Sequence, residues 1–269
     1  MSDTKQNNLE PRQINGINFV GLQTLIGKEV GRFINVYTQT VVAPVITTLL
    51  FYAVFALAFG GNTRTIGDIS YMAFLAPGLI MMTMVQNSFA NTSSSMVIAK
   101  VQGNIVDILM PPLSAGEFFL GFVIGGIVRG LFVGFVVAVV VALTVGLQMH
   151  SLFHVVAFGV LGTMMLSTIG LAAGIWSQKF DHIAAVTNFV VTPLTFLSGT
   201  FYSINQLPGI WKELAFYNPF FYMIDGFRYG FIGHADGNVT LGLMFLVGIN
   251  IFLTVMTWQM IRTGYKIKT

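Results

Sequence analysis

Residues 127–147 read IVRGLFVGFVVAVVVALTVGL. Arg129 is the one charge in that run, and the rest is dense in valine and glycine. An amphipathic helix would show a polar stripe, and a half-buried strand would alternate; this stretch does neither. It reads as a helix that crosses a bilayer, whose hydrocarbon core of about 30 Å takes roughly 20 residues. Working outward, five more runs share this character: 41–59 with Pro44, 71–89 with Pro77, Gln86 and Asn87, 155–176, 183–202 with Pro193, and 241–261. Six runs of this length use close to half the chain, which leaves no room for a large soluble domain.

The whole-chain composition agrees. Of 269 residues, 55% are hydrophobic and 9% are charged, against about 25% charged in soluble domains. The mean hydropathy is +0.78. These values exclude a water-soluble globular protein and an intrinsically disordered one. Cysteine is absent, which removes disulfides, thiolate metal sites and cysteine nucleophiles together. The net charge of +3 and pI near 9.2 read as a positive-inside bias rather than as nucleic-acid binding.

With six spans both termini share a side. Lys5, Arg12, Lys28, Arg32, Lys100, Arg129, Lys179, Arg262, Lys266 and Lys268 fall on it, and only Arg64, Lys212 and Arg228 fall on the other. That asymmetry predicts cytoplasmic termini. Residues 1–20 form a polar cytoplasmic tail, not a secretory signal, and 21–269 the membrane domain.

Three segments between the spans carry pattern. Leu22, Leu25, Ile26, Val30, Phe33, Ile34 and Tyr37 recur at helical spacing, with Lys28, Arg32 and Asn35 opposite, which predicts an amphipathic helix in the membrane interface. Glu29 breaks the pattern by landing within the apolar stripe. After the second span, the polar run Asn91–Ser95 leaves the membrane. Ile98, Val101, Ile105, Ile108 and Leu109 then recur at spacings of three and four, with Lys100, Asn104 and Asp107 on the other face, and Pro111 and Pro112 end the helix. Its apolar face suits either a groove on a partner or the membrane surface. The loop 203–238 is too apolar for solvent and too interrupted for a span; it predicts short helices dipping into the outer leaflet, with Asp225 and Arg228 spaced to pair.

Within the spans, Gly126, Gly130 and Gly134 repeat at intervals of four, as do Gly170 and Gly174; they suit packing within one chain or a homodimer face. Arg129 is placed to snorkel toward the interface. Thr187, Asn188, Thr192, Thr195 and Ser198 form a polar stripe that lines a translocation path or hydrogen-bonds neighbouring helices. Met81, Met82 and Met84 read as packing. No catalytic residue is identified. The nearest approach to a phosphate loop, Gly21–Glu29, has five residues between its glycines and no hydroxyl after Lys28. His150 and His154 lack a nearby carboxylate, so no metal site is expected. No cofactor is expected on this chain.

Five stretches carry a resemblance: Thr40-Val41-Val42-Ala43-Pro44; Ala76-Pro77-Gly78-Leu79; Asn104 to Leu109 followed by Pro111-Pro112; Gly125-Gly126-Ile127-Val128-Arg129-Gly130; and Asn218-Pro219 leading to Gly226-Phe227-Arg228-Tyr229-Gly230. In this order the chain resembles the permease subunit of ABC-2-type ATP-binding-cassette exporters, from about Gly21 to Gly264. The resemblance implies an all-α membrane protein of six spans that works as a homodimer in the bacterial inner membrane. It also implies two copies of a separate ATPase subunit, which hold the ATP and magnesium. The coupling helix would lie near Ala99–Leu113, with Lys100, Asn104, Ile105, Asp107, Ile108 and Leu109 as its contact residues. The interfacial helix would be 22–37, with Lys28, Glu29, Arg32 and Phe33. A re-entrant outer hairpin would span Leu207–His234, with Asn218, Pro219, Asp225 and Arg228. The competing expectations are an ATPase-independent carrier or channel, and a scaffold for envelope assembly.

Overall fold

The computed structural model describes residues 16–58, 65–66 and 69–267. Most of the predicted N-terminal tail, together with Lys5, Arg12, Phe59, Arg64 and Lys268, lies outside them. The described chain is mainly helical. In order it forms α1 (Phe19–Ile34), a π turn (Thr38–Val42) running into α2 (Ala43–Ala58), and a two-stranded ribbon of β1 (Thr65–Ile66) and β2 (Ile69–Ser70). Then come α3 (Tyr71–Val101), α4 (Ile105–Leu109), α5 (Ala115–Val145) and α6 (Leu152–Trp176). A segmented rod follows: α7 (Phe180–Val186), a π turn (Thr187–Val191) and α8 (Thr192–Phe196). The chain ends with α9 (Ile210–Tyr217), α10 (Pro219–Ile232) and α11 (Val239–Thr263). Five helices are long and apolar enough to cross a membrane: Thr38–Ala58, Tyr71–Val101, Ala115–Thr144, Leu152–Trp176 and Val239–Thr263.

The run 183–202 is the exception. It is helical only to Phe196, in pieces of seven, five and five residues. The reason is Pro193: its ring removes one backbone donor and clashes with the preceding turn. The π turn just before it takes up that misfit.

Helix α3 sits at the centre, packed on α2, α5, α6 and α10. The polar run Asn91–Ser95 lies within α3, which continues to Val101, and is buried apart from a half-buried Ser94. Hydroxyls here and one turn before stay inside by bonding carbonyls of their own helix or of a neighbouring one. Ser88 Oγ donates to the Met84 carbonyl at 3.0 Å, Ser93 Oγ to Phe89 at 2.7 Å, and Thr92 Oγ1 crosses to Ser167 on α6 at 2.8 Å.

The glycine ladders make the close approach possible. A Cβ at Gly130 would come within 3.0 Å of Ser88 and of the Met84 carbonyl, and one at Gly174 within 3.0 Å of Met96. The ladder therefore packs α5 and α6 on α3 inside one chain, which settles the alternative left open by spacing alone. Met81, Met82 and Met84 are buried here and serve as packing. By contrast α2 and α11 leave Ile46, Leu50, Leu57, Leu241, Ile251 and Phe252 exposed, as lipid-facing helices do.

Gly130→Val should overpack this seam and cost about 1–3 kcal/mol. Gly248 has nothing within 4 Å of its would-be Cβ, so Gly248→Ala should be neutral or mildly stabilising. Thermal unfolding of both variants in detergent checks the contrast.

Candidate functional site

The loop between α3 and α5 departs from the single amphipathic helix expected there. Gly103 adopts φ of 76°, a left-handed conformation that favours glycine, and so ends α3 one turn before α4 begins. Lys100 consequently belongs to α3. Its Nζ donates to the carbonyls of Ile175 at 2.7 Å and Ser177 at 2.6 Å, closing the C-terminal end of α6. A cation is favourable there because the last carbonyls of a helix have no partner within it. Lys100 is thus committed inward, not to an outer docking face.

The short helix α4 has an inner and an outer side. Ile108 is 7% exposed and, with Ile105, packs on a cluster that includes Leu25, Phe118, Phe119 and Phe122. Asn104, Val106, Asp107, Leu109 and Met110 face outward, with Val106 55% and Met110 76% exposed. Ser114 and Glu117 then form a capping box that starts α5. Glu117 also accepts from the backbone amide of Asn18, tying the loop to the start of α1. Neither residue stood out as functional in the sequence, although Ser-x-x-Glu before an apolar run is the legible signal of a helix start.

Helix α1 packs along the first half of α5 through Leu25, Glu29 and Phe33. Glu29, the exception in the stripe, is fully buried and accepts from Ser95 Oγ at 2.6 Å. Arg32, expected to face headgroups, turns toward α3. Its Nη2 reaches the Asn91 carbonyl at 2.6 Å and Asn91 Oδ1 at 3.0 Å, and its Nη1 reaches Ser94 at 3.2 Å. Lys28 stays exposed. Arg129 does not simply snorkel; its Nη2 donates to Asn87 Oδ1 at 3.1 Å.

The polar stripe of the segmented rod divides. Thr187 and Thr192 line a cavity of about 370 Å³ together with Gln86, Asn87, Ser93 and Ser94 of α3. Thr195 is buried and bonds its own helix at the Val191 carbonyl, 2.7 Å away. Ser198 donates to the Leu194 carbonyl and accepts from Asn218 Nδ2. Asn188 faces away from the cavity and is exposed.

At the other end of the bundle, Asn218 caps α10 through Phe220 N at 3.0 Å, with Pro219 at the first helical position. Arg228 is wholly buried. Its Nε donates to the Phe74 carbonyl at 3.2 Å, its Nη2 to Gly199 at 2.6 Å, and Nη1 lies 3.7 Å from Asp225 Oδ1. The guanidinium also covers the Phe74 ring at 3.7 Å. Asp225 in turn accepts from the amides of Asp236 and Gly237, both at 2.9 Å. Gly78 is required where this clamp passes, since a Cβ there would lie 2.8 Å from the Thr200 carbonyl. The pair anticipated from its spacing exists, and its role is structural.

Comparison with known proteins fixes the family. Residues 20–232 match the family described as ABC-2 type transporter. The chain belongs to the ABC-2 type transporter family. It is 39% identical over 251 residues to the "Inner membrane transport permease YadH" of Escherichia coli strain K12, covering 93% of this chain and 98% of that one. It is 25% identical over 170 residues to "Nodulation protein J" of Rhizobium leguminosarum bv. trifolii, covering 63% of this chain and 65% of that one. A second "Nodulation protein J", from Rhizobium meliloti, is 20% identical over 164 residues, covering 61% of this chain and 63% of that one.

For this ABC-2 chain, the geometry separates residues that hold the bundle together from residues left free to meet something else. Lys100, Ile105, Ile108, Glu29, Phe33, Thr195, Ser198, Asn218, Asp225 and Arg228 are engaged within the chain. Asn104, Val106, Asp107, Leu109, Met110 and the cavity threonines are not buried by it. Removing one member of the Arg228 clamp strands its buried partner, so Arg228→Met should cost about 3–5 kcal/mol. Arg228→Lys should fail to restore it, because one ammonium cannot reach both carbonyls and Asp225. Thermal unfolding in detergent reads both variants.

Proposed function

We propose that this chain is the membrane permease subunit of an ATP-binding-cassette exporter of the bacterial inner membrane. In this reading residues 21–269 form one domain with six spans, the segmented rod 180–196 being the fifth, and both termini are cytoplasmic. Helix α1 lies at the inner interface, and α9 with α10 forms a re-entrant outer hairpin. Two permease copies pair, and two separate ATPase subunits hold the ATP and magnesium. Membership in the ABC-2 family and the name of the Escherichia coli relative support the class and the membrane.

One observation carries the coupling: α4 presents Val106, Leu109 and Met110 outward on a loop that is braced from within by Ile105, Ile108 and Lys100. An apolar knob on a stiff mount suits a groove on a partner. A push on α4 reaches α5 through Phe118 and Phe119, and reaches α6 through Lys100. Nucleotide works by favouring one arrangement of these helices over the other, since only a difference in binding between two states moves an equilibrium. Thr187 and Thr192, with the polar face of α3, line the path open to cargo. Phe33 holds α1 on α5, where its ring lies 6.3 Å from that of Phe132.

Leu109→Asp combined with Met110→Asp should abolish transport and cargo-stimulated ATP hydrolysis in the reconstituted complex, with expression and thermal stability unchanged. Ile108→Asp should instead lower stability, because it buries a carboxylate without a partner. Efflux that survives the Leu109/Met110 variant removes α4 as the coupling element. Uphill transport by the permease alone in vesicles would replace the exporter with an ATPase-independent carrier.

A further inference from the structure

The polar cluster where α1, α3 and α5 meet holds more positive charge than it neutralises. Lys28 and Arg32 share a single carboxylate, Glu29, and Arg129 on α5 turns to Asn87 of the same α3 face instead. The pairings are long: Arg32 Nη2 lies 3.5 Å from Glu29 Oε2, and Lys28 Nζ lies 3.9 Å from Oε1. Among the described residues Arg129 has no carboxylate within ion-pair distance, only the neutral Oδ1 of Asn87 at 3.1 Å. The Nε atoms of both Arg32 and Arg129 are buried without a hydrogen-bond partner, as is Asn91 Nδ2 beside them. A guanidinium does not discharge by losing its proton. An ionised group inside a spanning helix is costly and calls for a partner of opposite charge.

The depth of the cluster limits what that partner can be. Arg129 precedes Val145, the end of α5, by roughly 24 Å at 1.5 Å per residue. With the outer edge of a hydrocarbon layer of about 30 Å set at Val145, Arg129 falls roughly 6 Å from the boundary at which α5 enters. An arginine stem spans that distance, so the Arg129 guanidinium, now held at Asn87, lies within reach of headgroup level. Lys28, more exposed, adds a third cation at the rim.

We propose that Arg32 and Arg129 form a phosphate-binding site at this boundary, with Glu29 as an internal competitor that holds Arg32 when the site is empty. Phosphate fits because paired guanidinium N–H groups match its oxygens, and charge-assisted bonds of this kind are the strong ones. Asn91 Nδ2 supplies one more donor. The phosphate belongs either to a lipid headgroup or to a soluble phosphate. The site requires only that the chain cross a membrane, and not that an ATPase dock on α4, so each can fail without the other.

Native mass spectrometry of the full-length permease in detergent tests it, with no ATPase present. The probes are dioleoyl-phosphatidylglycerol, dioleoylglycerol, which has the same chains without phosphate, and inorganic phosphate. The wild type should retain the phospholipid over dioleoylglycerol, or else bind inorganic phosphate. Arg129→Gln should lower occupancy of whichever phosphate binds by about tenfold, and Arg129→Lys should fall between. Glu29→Gln should raise occupancy, a gain that misfolding cannot mimic, while Lys179→Gln at an exposed cation should leave it unchanged. Displacement of the phospholipid by millimolar inorganic phosphate assigns the site to a soluble phosphate; its failure assigns it to a headgroup. Equal retention of phospholipid and dioleoylglycerol with no phosphate bound overturns the proposal. So do Arg129→Gln and Glu29→Gln variants that bind like the wild type, or a Lys179→Gln variant that loses as much as Arg129→Gln.

Discussion

A helix carrying Asn87, Ser88, Asn91, Thr92, Ser93 and Ser95 survives in a bilayer only when other helices enclose it, because lipid offers no hydrogen bonds. In this chain α3 is that helix, and the rest of the bundle is arranged around its need for cover. The glycines of α5 and α6 bring backbones close enough to exclude lipid, and the hydroxyls of α3 return to carbonyls one turn back or across to Ser167. Most of the 31 residues of α3 are buried by the helices clasping it.

The loop end of α3 is fastened at three points of different chemistry. Lys100 closes the end of α6, Ile105 and Ile108 enter an apolar cluster, and Glu117 grips the amide of Asn18. Each fastening joins a different pair of elements. The short α4 is therefore held from beneath while its outer side chains stay bare.

The spans are legible because a continuous apolar run of this length seldom forms anything but a bilayer-crossing helix, and the ends of α4 and α10 are legible because proline and asparagine act locally. Longer-range pairing is not. Asn91–Ser95 looks like an exit from the membrane, and nothing in the run itself reveals that other helices enclose it; the glycines opposite, far away in sequence, do that. Lys100 looks like a docking charge because nothing in its own neighbourhood reveals the carbonyls of Ile175 and Ser177. Gly103 carries the cue that α3 stops, and a lone glycine is a weak one. Glu29 is the instructive case. A carboxylate within an apolar stripe contradicts a lipid-facing helix, and the contradiction itself points to a protein partner on that side.

The two arginines within the bundle show how differently the same side chain can be used. Arg228 is paired with Asp225, covers Phe74 and spends its donors on the carbonyls of Phe74 and Gly199. Every change of geometry there breaks several interactions at once, so that end of the bundle resists deformation. Arg129 has one neutral acceptor and an idle Nε. Few interactions therefore fix its position, in contrast to Arg228. Polar groups are thus fully matched at the Arg228 clamp beside α10 and partly unmatched beside α1. Around α1 the unmatched groups are the Nε atoms of Arg32 and Arg129, Asn91 Nδ2 and Glu29 Oε2, whereas no atom of Arg228 or Asp225 is left without a partner.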